Sequence, residues 1–379
     1  PTQVSLGRKY KALVILFLAG GADSFNMLVP HSNCVDSENL YDNYVTARGG
    51  AALQKGTLHT IQVPVPGTQP CDTFGLHNKL PQLKSLYDAG EVIVLPNIGA
   101  LVEPVNVEQY KSKSKRLPPS LFAHNIMQRS MHNLHAQSAS STGVLGRITN
   151  ALTQKAAPYK TRMYSLMGNV KIVEGSSSPE MINGRHGIVR FSELSNFEAA
   201  IANLTKEKSE SFFAETFSSV LETSLLQTEQ MGAMLDNVEL NTTFPESDLG
   251  GQFDKVAKVI KLNKNVLEME RAAFVTKLGG FDTHNSFDTV TGDVKFDQIN
   301  GAISSFVEEM KAQSAWDDVA VLTVSDFGRT ISSNGLGTDH GWGGNMVLLG
   351  GGVDGGKFMG KFPHKLGDDG ELNVGRGRV

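Results

Sequence analysis

The sequence predicts an α/β domain with a mainly parallel sheet, and three short apolar runs carry this prediction. The runs are residues 12–18, 272–278 and 319–324, each with the length and composition typical of a buried parallel strand. A carboxylate follows each run, in the order Asp23, Asp282 and Asp326. Because the carboxyl ends of parallel strands meet at one edge of a sheet, we expect the three acids to share one site.

The rest of the chain alternates between strand and helix patterns. Residues 30–73 are rich in Gly, Asn and Asp, and we expect them to be irregular and too polar to join the core. Residues 79–89 have helical spacing of leucines and precede an apolar strand pattern at 91–96, a βαβ rhythm that favours a parallel sheet. Further helices are predicted after Pro119 and over 143–152 and 296–312, and further strands over 163–167 and 346–349.

One long segment departs from this alternation. Residues 193–265 are mostly helical in pattern, with Glu- and Lys-bearing faces and few strand signals. We interpret the segment as a helical insertion or cap within a single domain that spans residues 1–379. A chain of 379 residues is long enough to bury one large core of this kind.

Composition and charge argue against two classes of partner. The chain is 40% hydrophobic and 20% charged, which is ordinary for a globular protein. Its net charge of −4, without a long basic block, predicts no nucleic-acid partner. No run of about 18 apolar residues occurs, so we expect no membrane-spanning segment.

Two cysteines bear on the compartment in which the protein works. Cys34 and Cys71 lie in polar, loop-like sequence, and we expect one disulfide between them; two free thiols are the alternative that the sequence leaves open. A disulfide would indicate an oxidising compartment. The chain also begins at Pro1 without Met, which is typical of a processed chain whose targeting segment has been removed. These features predict a secreted, periplasmic or extracellular protein.

The acids have histidine neighbours whose chemistry suits a metal ion. His284 lies two positions after Asp282, so both side chains point the same way on an extended segment. His340 lies in a Gly-rich loop after Asp326 and has no apolar periodicity around it. Asp and His ligands without Cys indicate a divalent ion such as zinc, manganese, magnesium or calcium. The alternatives are a helix cap for Asp23 and Asp326, and a turn for Asp282 and His284.

Two further residues are candidates for catalysis. Arg329 could bind an oxyanion through its guanidinium fork, or it could pair with Asp339. His124 lies in a His-rich segment, and imidazole is the usual side chain for proton transfer near neutral pH. Two metal ions about 4 Å apart would suit the hydrolysis of a phosphate or sulfate ester.

Six blocks along the chain resemble the DUF1501 family, a distant branch of the alkaline phosphatase and sulfatase superfamily. The blocks follow the family's order and comprise residues 17–23, 74–77, 117–125, 279–284, 325–330 and 338–344. The resemblance implies a three-layer αβα sandwich of helices around a mixed, mainly parallel sheet. It also implies that the superfamily's metal ligands correspond to Asp23, Asp282, His284, Asp326 and His340.

Two positions depart from the pattern that the resemblance implies. Ala123 stands where the family has the Ser of a Ser-His pair, and Phe327 replaces the His that follows the equivalent Asp in alkaline phosphatases. If the protein is an enzyme, its nucleophile is therefore Ser24, Ser130 or a water activated at the metal.

The leading hypothesis is a secreted, metal-dependent hydrolase of small anionic esters, in which Arg329 or His124 steadies the anion. Its rival is a non-catalytic surface, matrix or assembly protein that retains the fold, binds an extracellular polymer and self-assembles. A third hypothesis is a metal- or anion-binding protein without turnover, since a fold does not fix a function.

Overall fold

A nine-stranded sheet forms the centre of the computed structural model, which describes residues 6–35, 39–135, 141–188, 194–206, 211–285, 289–367, 369–370 and 372–378. The strands are β1 (Lys11–Leu18), β2 (Leu28–Cys34), β3 (His59–Gln62), β4 (Cys71–Leu76), β5 (Val92–Ile98), β6 (Thr161–Ser165), β7 (Glu180–Asn183), β8 (Gly187–Ile188), β9 (Arg271–Leu278), β10 (Val319–Ser325), β11 (Arg329–Ser333), β12 (Thr338–His340), β13 (Gly344–Leu349) and β14 (Lys357–Phe358). The helices are α1 (Leu40–Arg48), α2 (Pro81–Asp88), α3 (Val107–Ser112), α4 (His124–Asn133), α5 (Val144–Thr153), α6 (Leu194–Lys206), α7 (Phe212–Asp236), α8 (Asp248–Asn265) and α9 (Thr289–Ala312).

The sheet is mainly parallel, as predicted. Its order is β14-β5-β13-β10-β1-β9-β6-β7-β8, and β1 pairs in parallel with both β9 and β10. Strands β8 and β13 pair antiparallel to their neighbours. The three apolar runs that predicted the fold are therefore adjacent strands at the centre of the sheet.

Helices cover both faces of the sheet. Along β1, Leu16 belongs to a large core that includes Phe253 of α8 and Phe306 of α9. Its neighbour Ile15 points to the opposite face, where it belongs to a second core that includes Leu145 of α5. This alternation is the one expected of a strand buried on both faces. The predicted three-layer α/β architecture is confirmed.

The prediction that residues 30–73 are irregular is wrong. They contain α1 and most of a three-stranded antiparallel sheet in the order β2-β4-β3. Leu40, Tyr44 and Ile61 from this stretch are buried in the large core. A stretch with few apolar residues can still form a sheet, because the backbone hydrogen bonds between paired strands do not depend on side-chain polarity.

The helical stretch predicted over residues 193–265 contains α6, α7 and α8. Helix α8 packs against β9 and α9, and it buries Phe253, Val256 and Ile260, so it belongs to a layer of the sandwich. The interpretation as an insertion or cap therefore stays a prediction for α6 and α7. Within the described ranges, no helix is both long enough and apolar enough to cross a membrane.

Cys34 and Cys71 lie opposite each other on β2 and β4 and form the expected disulfide. The disulfide joins positions separated by 37 residues. We predict that replacing both with Ala will lower the free energy of unfolding by about 3–4 kcal/mol, because the unfolded chain regains the entropy of the opened loop. Urea unfolding measures this loss, and the wild type under reducing conditions should match the double variant. Equal stability of the double variant and the oxidised wild type would contradict the prediction.

His132 is a buried titratable group in α4. Its ring lies against Phe17 of β1, with ring centroids 4.9 Å apart, and its Nε2 atom has no hydrogen-bond partner among the described residues. Burial lowers the pKa of His132 from 6.5 to about 4. The folded protein therefore keeps this ring neutral at pH values where the unfolded chain protonates it.

We predict that His132→Leu will make the protein less sensitive to acid. Because folding lowers the pKa, the stability linked to neutral His132 is present above the unfolded pKa of 6.5 and is lost as the pH falls towards 4. The wild type should lose about 2 kcal/mol through this group between about pH 7 and about pH 5. Urea unfolding at both pH values measures the loss, with His186→Gln at an exposed position as the control. An equal loss in His132→Leu and in the wild type would show that His132 is not the cause.

Candidate metal centre

Three strand ends bring the candidate residues to one edge of the sheet. Leu18 at the end of β1 is aligned with Leu278 of β9 and with Ser325 of β10, so the segments that follow leave the sheet side by side. Gly20 lies in the first of these segments with φ 115°, and a Cβ atom there would lie 2.5 Å from the backbone nitrogen of Asp282. Glycine is therefore required for the close approach of the first two segments.

Four side chains meet at this edge: His124, Asp282, His284 and His340. The Oδ1 atom of Asp282 lies 3.5 Å from Nε2 of His124, 3.1 Å from Nε2 of His284 and 3.3 Å from Nε2 of His340. The Nε2 atoms of His284 and His340 are 2.8 Å apart. Candidate ligand atoms of His124, Asp282 and His340 all lie within 4.8 Å of one another, which is a spacing that could hold a metal ion. We call these four residues the imidazole cluster.

An oxygen acceptor holds each imidazole at its other nitrogen, Nδ1. The donor–acceptor pairs are His124 to Asp326 Oδ2 (2.7 Å), His284 to Asp339 Oδ1 (3.1 Å) and His340 to the carbonyl oxygen of Phe122 (2.7 Å). Since a carbonyl or an ionised carboxylate only accepts hydrogen bonds, each Nδ1 atom carries a proton and donates it. In a neutral ring the Nε2 atom is then unprotonated and presents a lone pair to the cluster.

This arrangement creates a need for positive charge. Two unprotonated nitrogens 2.8 Å apart, in His284 and His340, direct their lone pairs at each other, which is repulsive unless a proton or a metal ion lies close to both. The Nε2 atom of His124 is buried and has no hydrogen-bond partner among the described residues. Metal-bound histidines almost always donate their other ring nitrogen to a carboxylate, a carbonyl or water, and all three rings do so here. The residues present therefore fit a divalent cation.

Protonation states within the cluster suit such a cation. Partial burial raises the pKa of Asp282, but the hydrogen bond and charge of Arg329, together with attraction to His124 and His284 when these rings are protonated, outweigh it and hold the pKa below its usual value. Burial lowers the pKa of His340, and its hydrogen bond to Phe122 offsets this only in part. At neutral pH the carboxylate is ionised and the His340 ring is neutral, which are the forms that bind metal.

Two of the predicted ligands, Asp23 and Asp326, are held by other groups. Asp326 is buried; it accepts hydrogen bonds from His124 and, at 3.3 Å, from the backbone nitrogen of Gly20. Asp23 is also buried, and its Oδ2 atom lies 2.6 Å from Nη2 of Arg48. Asp326 thus lies behind His124 and Asp23 lies against Arg48, and neither has a described contact with the other two histidines.

The guanidinium of Arg329 is fully buried and surrounded by acceptors. Its Nη1 atom donates to Asp282 at 2.9 Å and to the carbonyl oxygen of Gly20 at 3.3 Å, and its other nitrogens donate to the hydroxyl and carbonyl oxygens of Thr338. The described hydrogen bonds of Arg329 do not include one to Asp339, the partner that the sequence suggests. In this arrangement Arg329 fixes Asp282 and does not face the solvent from which an anion would approach.

The sequence pattern does not predict the groups that hold the imidazoles. Phe122 contributes a backbone carbonyl from a left-handed conformation (φ 76°), which no motif signals. Arg48, which holds Asp23 and not an imidazole, comes from the stretch predicted to be irregular. Among these groups, Asp339 was the one that the sequence could have indicated, because it lies directly before the candidate ligand His340. Phe327 packs its ring against His124 and His340, with 4.7 Å between ring centroids in each case, and so occupies space beside the cluster.

Neither candidate serine has a described contact with the imidazole cluster. Ser24 is buried, and its Oγ atom accepts a hydrogen bond of 2.6 Å from the backbone nitrogen of Asn345. Ser130 is buried, and its Oγ atom donates to the carbonyl oxygen of Ile126 within α4. Ala123 precedes α4 and provides no side-chain cap. The described side chains thus offer no serine nucleophile at the cluster.

Comparison with solved structures gives weak likenesses. The lipoteichoic acid synthase LtaP from Listeria monocytogenes is 10% identical (TM-score 0.34), and the match covers 93% of this chain and 66% of that one. A protein in the alkaline phosphatase superfamily from Vibrio parahaemolyticus is 11% identical (TM-score 0.36; 96% and 64%). The PsFucS1 sulfatase from Pseudoalteromonas sp. is 13% identical (TM-score 0.35; 93% and 64%). The chain spans about two thirds of the length of these proteins.

Comparison with sequences is more decisive. No curated protein matches the chain significantly. The profile of DUF1501, described as a protein of unknown function, matches residues 10–374. This match covers nearly the whole chain, including every member of the imidazole cluster, and the protein therefore belongs to the DUF1501 family.

Proposed function

We propose that this protein is a metal-dependent hydrolase of phosphate or sulfate esters, with one divalent ion bound by His124, Asp282, His284 and His340. The observation that supports this most directly is the pair of Nε2 atoms that face each other in His284 and His340. The resemblance of the sequence blocks to the DUF1501 family, which looks like a distant branch of the alkaline phosphatase and sulfatase superfamily, supports the reaction type.

Charges around the cluster favour one ion over the two that the sequence suggested. The nearby carboxylates are those of Asp23, Asp282, Asp326 and Asp339. Three of them contact an arginine, in the pairs Asp23–Arg48, Asp282–Arg329 and Asp339–Arg376. Asp326 contacts His124 instead. Most of the negative charge is thus already compensated, and the ring of Phe327 stands where the resemblance implies a further His ligand.

Three imidazole nitrogens and one carboxylate oxygen suit zinc or manganese better than magnesium or calcium, which prefer oxygen ligands. When bound, such an ion would take a water or an ester oxygen as a fifth ligand beside the four from the protein, and would lower the pKa of such a water towards about 7. His124 is then a ligand, with Asp326 fixing its orientation, and it is no longer free to carry protons. The side chains of Asp282 and His284 are 48% and 38% exposed, so the cluster opens to solvent on their side and a small ester can approach there.

Water is the proposed nucleophile, because Ser24 and Ser130 are buried and bonded elsewhere. The chain's own residues then bind and orient. Arg329 holds Asp282, and Asp326 and Asp339 hold two of the imidazoles. This route needs no side chain at position 123.

A non-catalytic role is the second candidate, and Ala123 is the observation that favours it. A relative that has lost its nucleophile could bind a metal or an anion without turnover, or act as a matrix or assembly protein on an extracellular polymer. The disulfide supports work in an oxidising compartment under either candidate function, and we therefore propose a location outside the cytoplasm.

We predict that Asp326→Asn will lower the affinity for zinc by about 10- to 100-fold, because the amide no longer enforces the tautomer and orientation of His124. Titration against a competing chelator measures the affinity. Asp354→Asn is the control, since Asp354 is exposed and pairs only with Lys357 among the described residues. An unchanged affinity in folded Asp326→Asn would remove His124 from the proposed ligands.

Turnover is tested with zinc- or manganese-loaded protein and a panel of aryl phosphates and aryl sulfates. We expect His340→Ala to abolish both metal binding and turnover, and Ser24→Ala and Ser130→Ala to retain most of the activity. A serine variant that is inactive with its metal content intact would indicate a covalent route. A wild type that binds metal but hydrolyses no ester with either ion would favour the non-catalytic candidate.

A further inference from the structure

Residues 372–378, which we call the C-terminal strap, contact the groups that hold two of the imidazoles. We propose that the strap positions His284 and His340 through Arg376 and Arg378. The inference deepens the proposed function, because it assigns positioning residues to the same metal site and rests on that site for its effect on metal binding. The orientation of the His284 and His340 rings can be tested without any metal.

Arg376 acts on His284 through Asp339. Its Nη2 atom donates to Oδ2 of Asp339 at 2.7 Å, while Oδ1 of the same carboxylate accepts from Nδ1 of His284 at 3.1 Å. Asn334 also donates to Oδ1, at 3.2 Å. The two carboxylate oxygens of Asp339 thus accept hydrogen bonds from different residues, which restricts rotation of the carboxylate. Such a rotation would break the hydrogen bond that fixes the His284 ring. Without Arg376, one of these two restraints is lost.

Arg378 acts on His340 and on its acceptor together. Its Nε atom donates to the carbonyl oxygen of His340 at 3.0 Å, and its guanidinium lies over the ring of Phe122, 4.3 Å from the centroid. The carbonyl oxygen of Phe122 is the acceptor for Nδ1 of His340. Phe122 has a φ of 76°, which is unfavourable for a residue with a side chain and persists only where neighbours hold it. Arg378 therefore contacts both residues of this hydrogen bond, the donor His340 and the acceptor Phe122.

A glycine anchors the strap beside β11. The carbonyl oxygen of Gly377 accepts a hydrogen bond of 2.8 Å from the backbone nitrogen of Ile331. Gly377 has a φ of 70°, and a Cβ atom there would lie 2.5 Å from Oγ and 2.7 Å from the backbone nitrogen of Ser332. A larger residue at this position must displace the strap, although it alters neither arginine.

The third imidazole provides an internal control. His124 is held by Asp326, whose described contacts include none with the strap. The proposal therefore predicts a selective effect: loss of the strap changes His284 and His340 and leaves His124 unchanged. A general loss of stability would affect all three rings.

Ring-nitrogen NMR of metal-free protein with 15N-labelled histidine tests the structural part. In the wild type, Nδ1 of all three rings should carry a proton, and in the absence of metal one further proton should lie between the Nε2 atoms of His284 and His340. We expect Arg376→Ala to mix the tautomers of His284, Arg378→Ala those of His340, and Gly377→Val those of both, with His124 unchanged in each case. Arg376→Lys should restore the wild-type tautomer of His284 in part, since a lysine keeps the charge but not the fork. Wild-type tautomers in all three loss variants would overturn the proposal.

Zinc titration tests the consequence for the site. Arg376→Ala and Gly377→Val should each weaken zinc binding by about 10-fold, the lower end of what loss of an outer partner of a metal ligand costs. Arg185→Ala is the matched control, because Arg185 is similarly exposed (72% against 68%) and also pairs with an aspartate, Asp248. Unchanged zinc affinity with weaker ester binding would overturn the proposal by making Arg376 a substrate contact. If the wild type binds neither zinc nor manganese, the proposed function fails, and the NMR tautomers alone decide whether the strap positions the rings.

Discussion

The rest of the site depends on one contact, between the Nε2 atoms of His284 and His340, which face each other at 2.8 Å. Each ring donates from Nδ1 to an oxygen, so neither can place a proton on Nε2 while it stays neutral. A carboxylate oxygen, Oδ1 of Asp282, also lies close to both Nε2 atoms and adds negative charge at the same point. A cation at this point turns mutual repulsion into ligation. Without a cation, one ring must become charged or turn away.

The sheet supplies the rigidity that this contact needs. Parallel pairing of β1 with β9 and β10 aligns three strand ends, and the segments after them carry Asp282 and Asp326 to neighbouring positions. Gly20 lets two of the segments approach to a distance that any Cβ atom would prevent. Hydrogen bonds from Arg329 then fix Asp282 against the backbone of the first segment. The cluster is therefore held by backbone pairing and buried charge, and a small displacement of any one strand end would disturb it.

Sequence reasoning predicted the parts of the molecule that follow from periodicity. The three central strands, α2, α5 and β6 have regular apolar patterns and were predicted close to their observed bounds. The small sheet of β2, β3 and β4 was missed, because its order depends on backbone pairing and a disulfide between positions far apart in the chain. The cluster members Asp282, His284 and His340 were predicted because each follows a strand or a glycine-rich break. The groups that accept hydrogen bonds from the imidazoles were harder to predict. One of them, the carbonyl oxygen of Phe122, belongs to the backbone and does not depend on the residue type.

In the proposed site, one cation lies among three imidazoles and one carboxylate. Anomalous diffraction at the zinc edge, from crystals of zinc-loaded protein, tests it most directly. We expect a single peak about 2.0–2.1 Å from the Nε2 atoms of His124, His284 and His340, with an oxygen of Asp282 as the fourth protein ligand. Two peaks, or one peak bound by Asp23 and Asp326, would contradict it.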